Sequence, residues 1–316
     1  MKILANDGIA KSGQDILEAA GHTVVTENVP QDQLIEAVNK ENYEVVLVRS
    51  ATTVRKEVVD ACPGLRMIGR GGVGMDNIDV EYARSIGRLV FNTPAASSQS
   101  VAELVIAQMF SLARSTYDSN RLMPKQGVSD FKVLKKKYGK GIELRGKTLG
   151  IVGFGRIGQS LASYALGCGM NVIAHDPFVA KAQIIVPVAG EEIKVNIHTT
   201  DMDSIISDSD FISLHVPKQA DGSAVIGSAE IAKMKDGVRL VNAARGGVID
   251  EDALLAGIAS GKIAGAALDV FENEPTPRED LLANDKIPST PHVGAATLEA
   301  QDRIGEELAN FILANA

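Results

Sequence analysis

"LGIVGFGRIGQSLASYALGCGMNVIAHD" occupies residues 149–176, and its reading decides the fold. An apolar run, Leu149–Val152, leads into Gly153, Gly155 and Gly158, which have the G-x-G-x-x-G spacing. The first glycine permits a tight turn out of a strand, and the second lets backbone approach a pyrophosphate. The third lets the next helix pack closely on the sheet, with its N-terminal N–H groups facing the phosphate charge. Arg156 and Ile157 open that helix, whose apolar face is Leu161, Ala162, Ala165 and Leu166. Asn171–Ala174 reads as the next strand and runs to Asp176, 18 residues beyond Gly158. A carboxylate there accepts both ribose hydroxyls of an adenosine and repels a 2′-phosphate. Pro177 and Phe178 offer that phosphate no cation. The site selects NAD over NADP.

Spacing alone does not decide this, because Gly69-Arg70-Gly71-Gly72-Val73-Gly74 matches the same pattern. Context separates the two. After Gly74 comes "MDNIDVEYARS", where a helix is expected only from Asp79, so no helix opens on the last glycine.

The rest of the chain fits a two-unit α/β protein. Its 316 residues are long for one core, and 45% hydrophobic with 4% aromatic residues is ordinary for the class. No apolar run approaches the ~20 residues of a membrane span. "MKILANDGIA" lacks a basic region before a long apolar one, so it reads as a first strand rather than a signal peptide. Cys62 and Cys168 have no metal-ligand spacing and are expected to be reduced thiols in a cytoplasmic protein. A net charge of −8 argues against general nucleic-acid binding, yet a few arginines in one cleft can still attract an anionic substrate.

Apolar runs at Lys2–Ala5, Thr23–Thr26, Val45–Val48, Arg66–Ile68 and Leu89–Phe91 alternate with helix-like patterns. Gly21 closes the first helix. This order implies a parallel sheet covered on both faces. From Ser97 to Ser115 one long amphipathic helix is expected, with Val101, Leu104, Val105, Gln108, Met109 and Leu112 along its stripe. Residues 117–141 show no clean period and carry the basic run "KVLKKKYGK", either a solvated face or an arm against a second subunit. Strand–helix alternation then resumes from Lys147 to about Asp269, and "TPHVGAAT" turns into a final helix.

Several residues could do chemistry. His215 ends the strand "DFISLHVP", where the carboxyl end of a parallel strand meets the ligand crevice; His292 lies in the turn "STPHVGAAT". Val238–Asn242 runs into Arg245, whose planar fork suits a carboxylate. "GAALDVFENEP" leads to Asp269, Glu272 and Glu274, any of which could orient a histidine for acid–base work near neutrality.

"LGIVGFGRIG…HD", "SDFISLHVP", "MKDGVRLVNAARGGVIDEDAL", "AALDVFENEP" and "TPHVGAAT", in this order, resemble the D-isomer-specific 2-hydroxyacid dehydrogenase family. "VRSAT" and "GRGGVGMDNID" extend the resemblance over nearly the whole chain. It implies a Rossmann NAD-binding domain, 98–288, inserted into a flavodoxin-like substrate domain, 1–97 and 289–316. It also implies two domains that close on the substrate, while the long helix and its basic arm near 98–141 lead us to expect a homodimer.

Position by position, Arg245 resembles the family's substrate arginine, Glu274 its histidine partner and His292 its acid–base catalyst. Asp269 resembles the residue that holds the nicotinamide carboxamide. His215, Val216 and Pro217, with Ala243 and Gly294, resemble the cofactor lining. Arg49, Ser50, Arg70 and Gly71–Val73 resemble the substrate side of the cleft. The implied reaction is NAD-dependent hydride transfer at C2 of a D-2-hydroxyacid. The resemblance runs most to members acting on 3-phosphoglycerate in serine biosynthesis. Hydroxypyruvate or glyoxylate reduction, and a non-catalytic NAD-sensing corepressor, are the alternatives.

Three features depart from the family pattern. "TPAASSQS" replaces a Gly-Asn form, so no substrate contact is carried over to Ala95–Ser98. The segment before "GKTLGI" is basic rather than aromatic-rich. One helix follows His292, so serine feedback through an added regulatory domain is not expected.

Overall fold

The computed structural model describes residues 1–316. They form two compact units: Met1–Ser98 with Ala295–Ala316, and Gln99–Gly294. The second boundary lies six residues later than the sequence reading places it. Residues 289–294 belong with the central unit because Ser289 bridges Leu268, and Asp269 holds the N–H groups of Val293 and Gly294.

The first unit is a parallel sheet of β1 (Lys2–Ala5), β2 (Thr23–Val25), β3 (Val45–Val48), β4 (Met67–Arg70) and β5 (Leu89–Asn92). Its order, β2-β1-β3-β4-β5, is the flavodoxin-like winding. "VVLV" of β3 is buried throughout, as a strand covered on both faces must be. Helices Lys11–Ala19 and Leu298–Ala314 pack so closely that a Cβ on Gly13 would lie 2.3 Å from the Gly305 carbonyl oxygen. The misleading glycine run is explained here. Gly69 sits inside β4, wedged between Leu47 and Phe91, and the following helix starts only at Val80.

In the second unit β6 (Thr148–Val152) pairs β7 (Asn171–His175) on one side. Two strands intervene in sequence, β8 (Lys181–Val188) and β9 (Glu191–His198). On its other side β6 pairs β10 (Phe211–Leu214), followed by β11 (Val238–Asn242) and β12 (Ile263–Leu268). All five sheet strands are parallel, so the winding reverses at β6 and opens a crevice beyond the carboxyl ends of β6 and β10.

Two regions differ from the strand–helix alternation. β8 and β9 form an antiparallel hairpin that packs Ile184, Val186 and Ile197 inward. Residues 117–141, which lack a clean period, hold two short helices, Thr116–Gln126 and Phe131–Tyr138. The long helix spans Ser98–Arg114.

Candidate active site

The glycine turn performs each of its three steric tasks. Gly153 has φ 92°, and a Cβ on it would lie 2.5 Å from the His215 carbonyl oxygen. Above Gly155 nothing lies within 4 Å of a built Cβ, so backbone is exposed where a pyrophosphate approaches. A Cβ on Gly158 would meet the Gly153 carbonyl at 2.3 Å, so the helix Arg156–Gly167 sits hard against the turn. No side chain caps that helix, and its first N–H groups are left to an anion. Asp176, just past β7, accepts from the N–H of Phe154 at 2.7 Å and of Phe178 at 2.8 Å. These bonds fix the carboxylate beside the turn. The residues present fit a dinucleotide.

His215 follows β10, its Nε2 hydrogen-bonded to Ser213 Oγ at 2.9 Å, while its buried Nδ1 has no partner. Burial pushes its imidazole down to about 4, so it is neutral at pH 7 and unsuited to deliver a proton. Val216 Cγ1 closes on Gly153, Pro217 is exposed, and Ala243 packs on the core beneath the crevice.

Beyond β11, Asn242 braces the turn that carries Arg245. Its Nδ2 donates to the Arg245 carbonyl at 2.9 Å, and its Oδ1 accepts from Ala244 N at 3.1 Å. Gly246 follows, and a Cβ there would lie 1.8 Å from the Phe271 carbonyl oxygen. That close approach joins the arginine turn to the segment bearing Glu274. Glu274 Oε1 accepts from Phe271 N at 2.9 Å, and its Oε2 lies 2.8 Å from His292 Nδ1. The acid left open by the sequence is therefore Glu274, not Glu272 or Asp269. His292 Nε2 makes no hydrogen bond within the chain. The pair lines a pocket of about 400 Å³ whose other walls include Phe271, Pro275 and Leu282.

Asp269, at the end of β12, is buried and already accepts three donors: Val293 N, Gly294 N and Thr290 Oγ1. A carboxylate has about four acceptor positions, so room remains for one more donor. Thr290 was not singled out in the sequence, although it lies within "STPHVGAAT".

In the first unit Arg49 follows β3, with its N–H donating to Asp7 Oδ2 at 2.6 Å; Ser50 is exposed. Arg70 Nη1 lies over Gly72, 1.9 Å from where a Cβ would stand, and Gly72 has φ 136°. Two of the three N–H groups of Gly71–Val73 are used within the unit. Gly71 N donates to the Val48 carbonyl and Gly72 N to Thr93 Oγ1, which leaves the Val73 N–H.

The profile of the D-isomer specific 2-hydroxyacid dehydrogenase NAD binding domain matches residues 106–294. The chain belongs to the D-isomer-specific 2-hydroxyacid dehydrogenase family. It is an NAD-dependent oxidoreductase. A hydroxypyruvate reductase of Thermotoga maritima is 43% identical over 315 residues, covering 98% of this chain and 97% of that protein. A D-3-phosphoglycerate dehydrogenase of Archaeoglobus fulgidus is 42% identical over 99% of this chain, which spans 57% of that protein's length. Among solved structures, a glyoxylate reductase from Paecilomyes thermophila superposes with a TM-score of 0.83 at 29% identity. That match covers 99% of this chain and 94% of the other.

Proposed function

We propose that the chain interconverts a D-2-hydroxyacid and its 2-keto acid, with His292 as acid–base catalyst, Glu274 as its partner and Arg245 as carboxylate anchor. The observation that carries this is the 2.8 Å bond from His292 Nδ1 to Glu274, which leaves Nε2 as the only ring nitrogen for a substrate proton. The dinucleotide, held by Gly153–Gly158 and Asp176, supplies the hydride acceptor and, in reverse, the donor. Nε2 takes the hydroxyl proton as C2 becomes a carbonyl carbon. In the reverse direction the imidazolium returns it to the keto oxygen. Glu274 stabilises that imidazolium and fixes the tautomer. The guanidinium of Arg245 anchors C1 and orients C2.

The substrate assigned is 3-phosphoglycerate and its oxidation product, which would place the enzyme in serine biosynthesis. Arg49 and Arg70 flank the Gly71–Gly72 backbone and supply cations for a phosphate. Hydroxypyruvate is the second reading, favoured by the near-complete length match to the Thermotoga reductase. We also assign a homodimer, because Phe110, Val128, Phe131 and Val133 expose apolar side chains along one segment.

NADH oxidation against phosphohydroxypyruvate, hydroxypyruvate and glyoxylate tests the reading. The phosphorylated acid should have the highest kcat/KM, and Arg70→Gln should lower that advantage at least about tenfold, as loss of a charge-assisted contact does. A higher kcat/KM for hydroxypyruvate moves the assignment to the second reading. His292→Ala should lose about 100-fold or more in kcat with NADH affinity retained; unchanged turnover ends the mechanism.

A further inference from the structure

His292 has φ 54°, in the left-handed region that a residue with a Cβ seldom visits. Such a backbone persists only where its surroundings over-determine it. Part of the support is local: His292 N donates to the Thr290 carbonyl, and Asp269 takes Val293 N and Gly294 N, each at 2.9 Å. Two further ties come from the long helix Ser98–Arg114. Ser100 Oγ donates to the Gly294 carbonyl at 2.6 Å, and Gln108 Nε2 donates to Thr290 Oγ1 at 3.1 Å.

The Gln108 contact has a defined direction. Thr290 Oγ1 gives its proton to Asp269 Oδ1 at 2.6 Å, so toward Gln108 it can only accept. That turns the amide nitrogen to the threonine and leaves Gln108 Oε1 buried without a partner. An orphaned amide oxygen destabilises, and an apolar residue would suit the stripe of Val101, Val105 and Met109 better. Ser100 and Gln108 are eight residues apart, on one face and about 12 Å along the axis. They grip opposite ends of the turn Thr290–Gly294.

We propose that Ser100 and Gln108 are positioning residues for His292. Ser100 acts through the Gly294 carbonyl, and Gln108 through Thr290 and Asp269. Together they hold the strained turn so that Nδ1 stays on Glu274 and Nε2 stays presented to the reacting oxygen. This rests on His292 being the acid–base group.

Gln108→Met and Ser100→Ala should each lower kcat about tenfold, the scale of a small misplacement of a catalytic group, with KM changed less than about twofold. Ser100→Thr, which keeps the hydroxyl, should recover most of the loss. Gln108→Met should add nothing on a Thr290→Val background, because both changes cut one chain of bonds. In the protein without nucleotide, 15N-histidine NMR should show the His292 Nδ1 proton downfield, and broadened or shifted upfield in both variants. Ser163→Ala, which removes a hydroxyl bonded to the Ile185 carbonyl, should leave kcat and that signal unchanged. Wild-type kcat and an unmoved signal in Gln108→Met and Ser100→Ala overturn the proposal, as does additivity with Thr290→Val. Should Gln108→Met fail to fold, the comparison of Ser100→Ala with Ser100→Thr decides. If the wild-type enzyme reduces no 2-keto acid, the functional reading fails, while the NMR signal still decides whether the helix holds the turn.

Discussion

Residues of one chemical type divide the work here by their surroundings. His215 follows β10 at the crevice and His292 lines the pocket with Phe271 and Pro275, yet only His292 has a carboxylate on Nδ1. His215 instead has a serine hydroxyl and a buried nitrogen, and its imidazole is pushed down to about 4. The folded protein therefore holds fewer protons than the unfolded chain between about 4 and the ordinary histidine value near 6.5. Stability present above pH 6.5 is lost as pH falls through that window. His215→Asn should remove this contribution. Urea unfolding should show the loss between pH 6.5 and 5 reduced by ~1 kcal/mol, half the full linkage value because the ring edge meets solvent. An unchanged slope would mean the ring titrates normally. Both histidines could be marked as candidates from the sequence, His215 at a strand end and His292 in a turn, but burial is a property of packing that one residue's neighbours in the chain do not reveal. The same limit applied to the acid. Asp269, Glu272 and Glu274 stand within six positions; spacing left all three open, the family resemblance pointed to Glu274, and the folded turn puts Glu274 on His292.

At the scale of the element, the strands of both sheets were legible because covered parallel strands must be largely apolar, as "VVLV" and "IAGAAL" are. The hairpin of β8 and β9 was not, although "KAQIIVPVAGEEIKVNIH" alternates and has Ala189-Gly190 at its centre. The expected rhythm of the fold outweighed a local period of two. Its turn also uses an uncommon residue. Ala189 has φ 50° and Gly190 φ 90°, so both central positions are left-handed, where asparagine followed by glycine is preferred. A Cβ with no compensating side-chain bond costs about 1 kcal/mol there. Ala189→Asn should raise stability by ~0.5–1 kcal/mol, seen as a higher Tm with activity unaltered. A lower Tm would show that the turn is not the hairpin's weak point. Gln108 belongs at this scale too. A lone amide in an apolar helical stripe was visible in the sequence, but its partner, Thr290, is 182 positions away.

On the scale of the whole molecule, the winding of each sheet followed from strand–helix order, whereas the association of subunits had only an indirect signal. Residues 117–141 read as either a solvated face or an arm, and the two helices found there answer in part. Lys137 is tied to Asp118 at 2.7 Å, and Tyr138 gives its hydroxyl proton to the same carboxylate, so the end of the basic run is anchored within its own segment. Lys132, Lys135, Lys136 and Lys140 stay exposed, and apolar side chains stand outward among them. Val128 is fully exposed, and Phe131 and Val133 are 57% and 64% exposed. Aromatic and branched side chains left in water at this density cost free energy that a symmetric partner would recover, each copy presenting the same patch to the other. Light scattering should therefore give twice the 33.4 kDa chain mass. Phe131→Glu with Val133→Glu should shift the protein to monomer at micromolar concentration, since placing like charges across a two-fold axis costs several kcal/mol. Each chain would keep its own Glu274–His292 pair, so circular dichroism of the monomer should match wild type. A wild-type protein that is already monomeric at that concentration would return the segment to a solvated face.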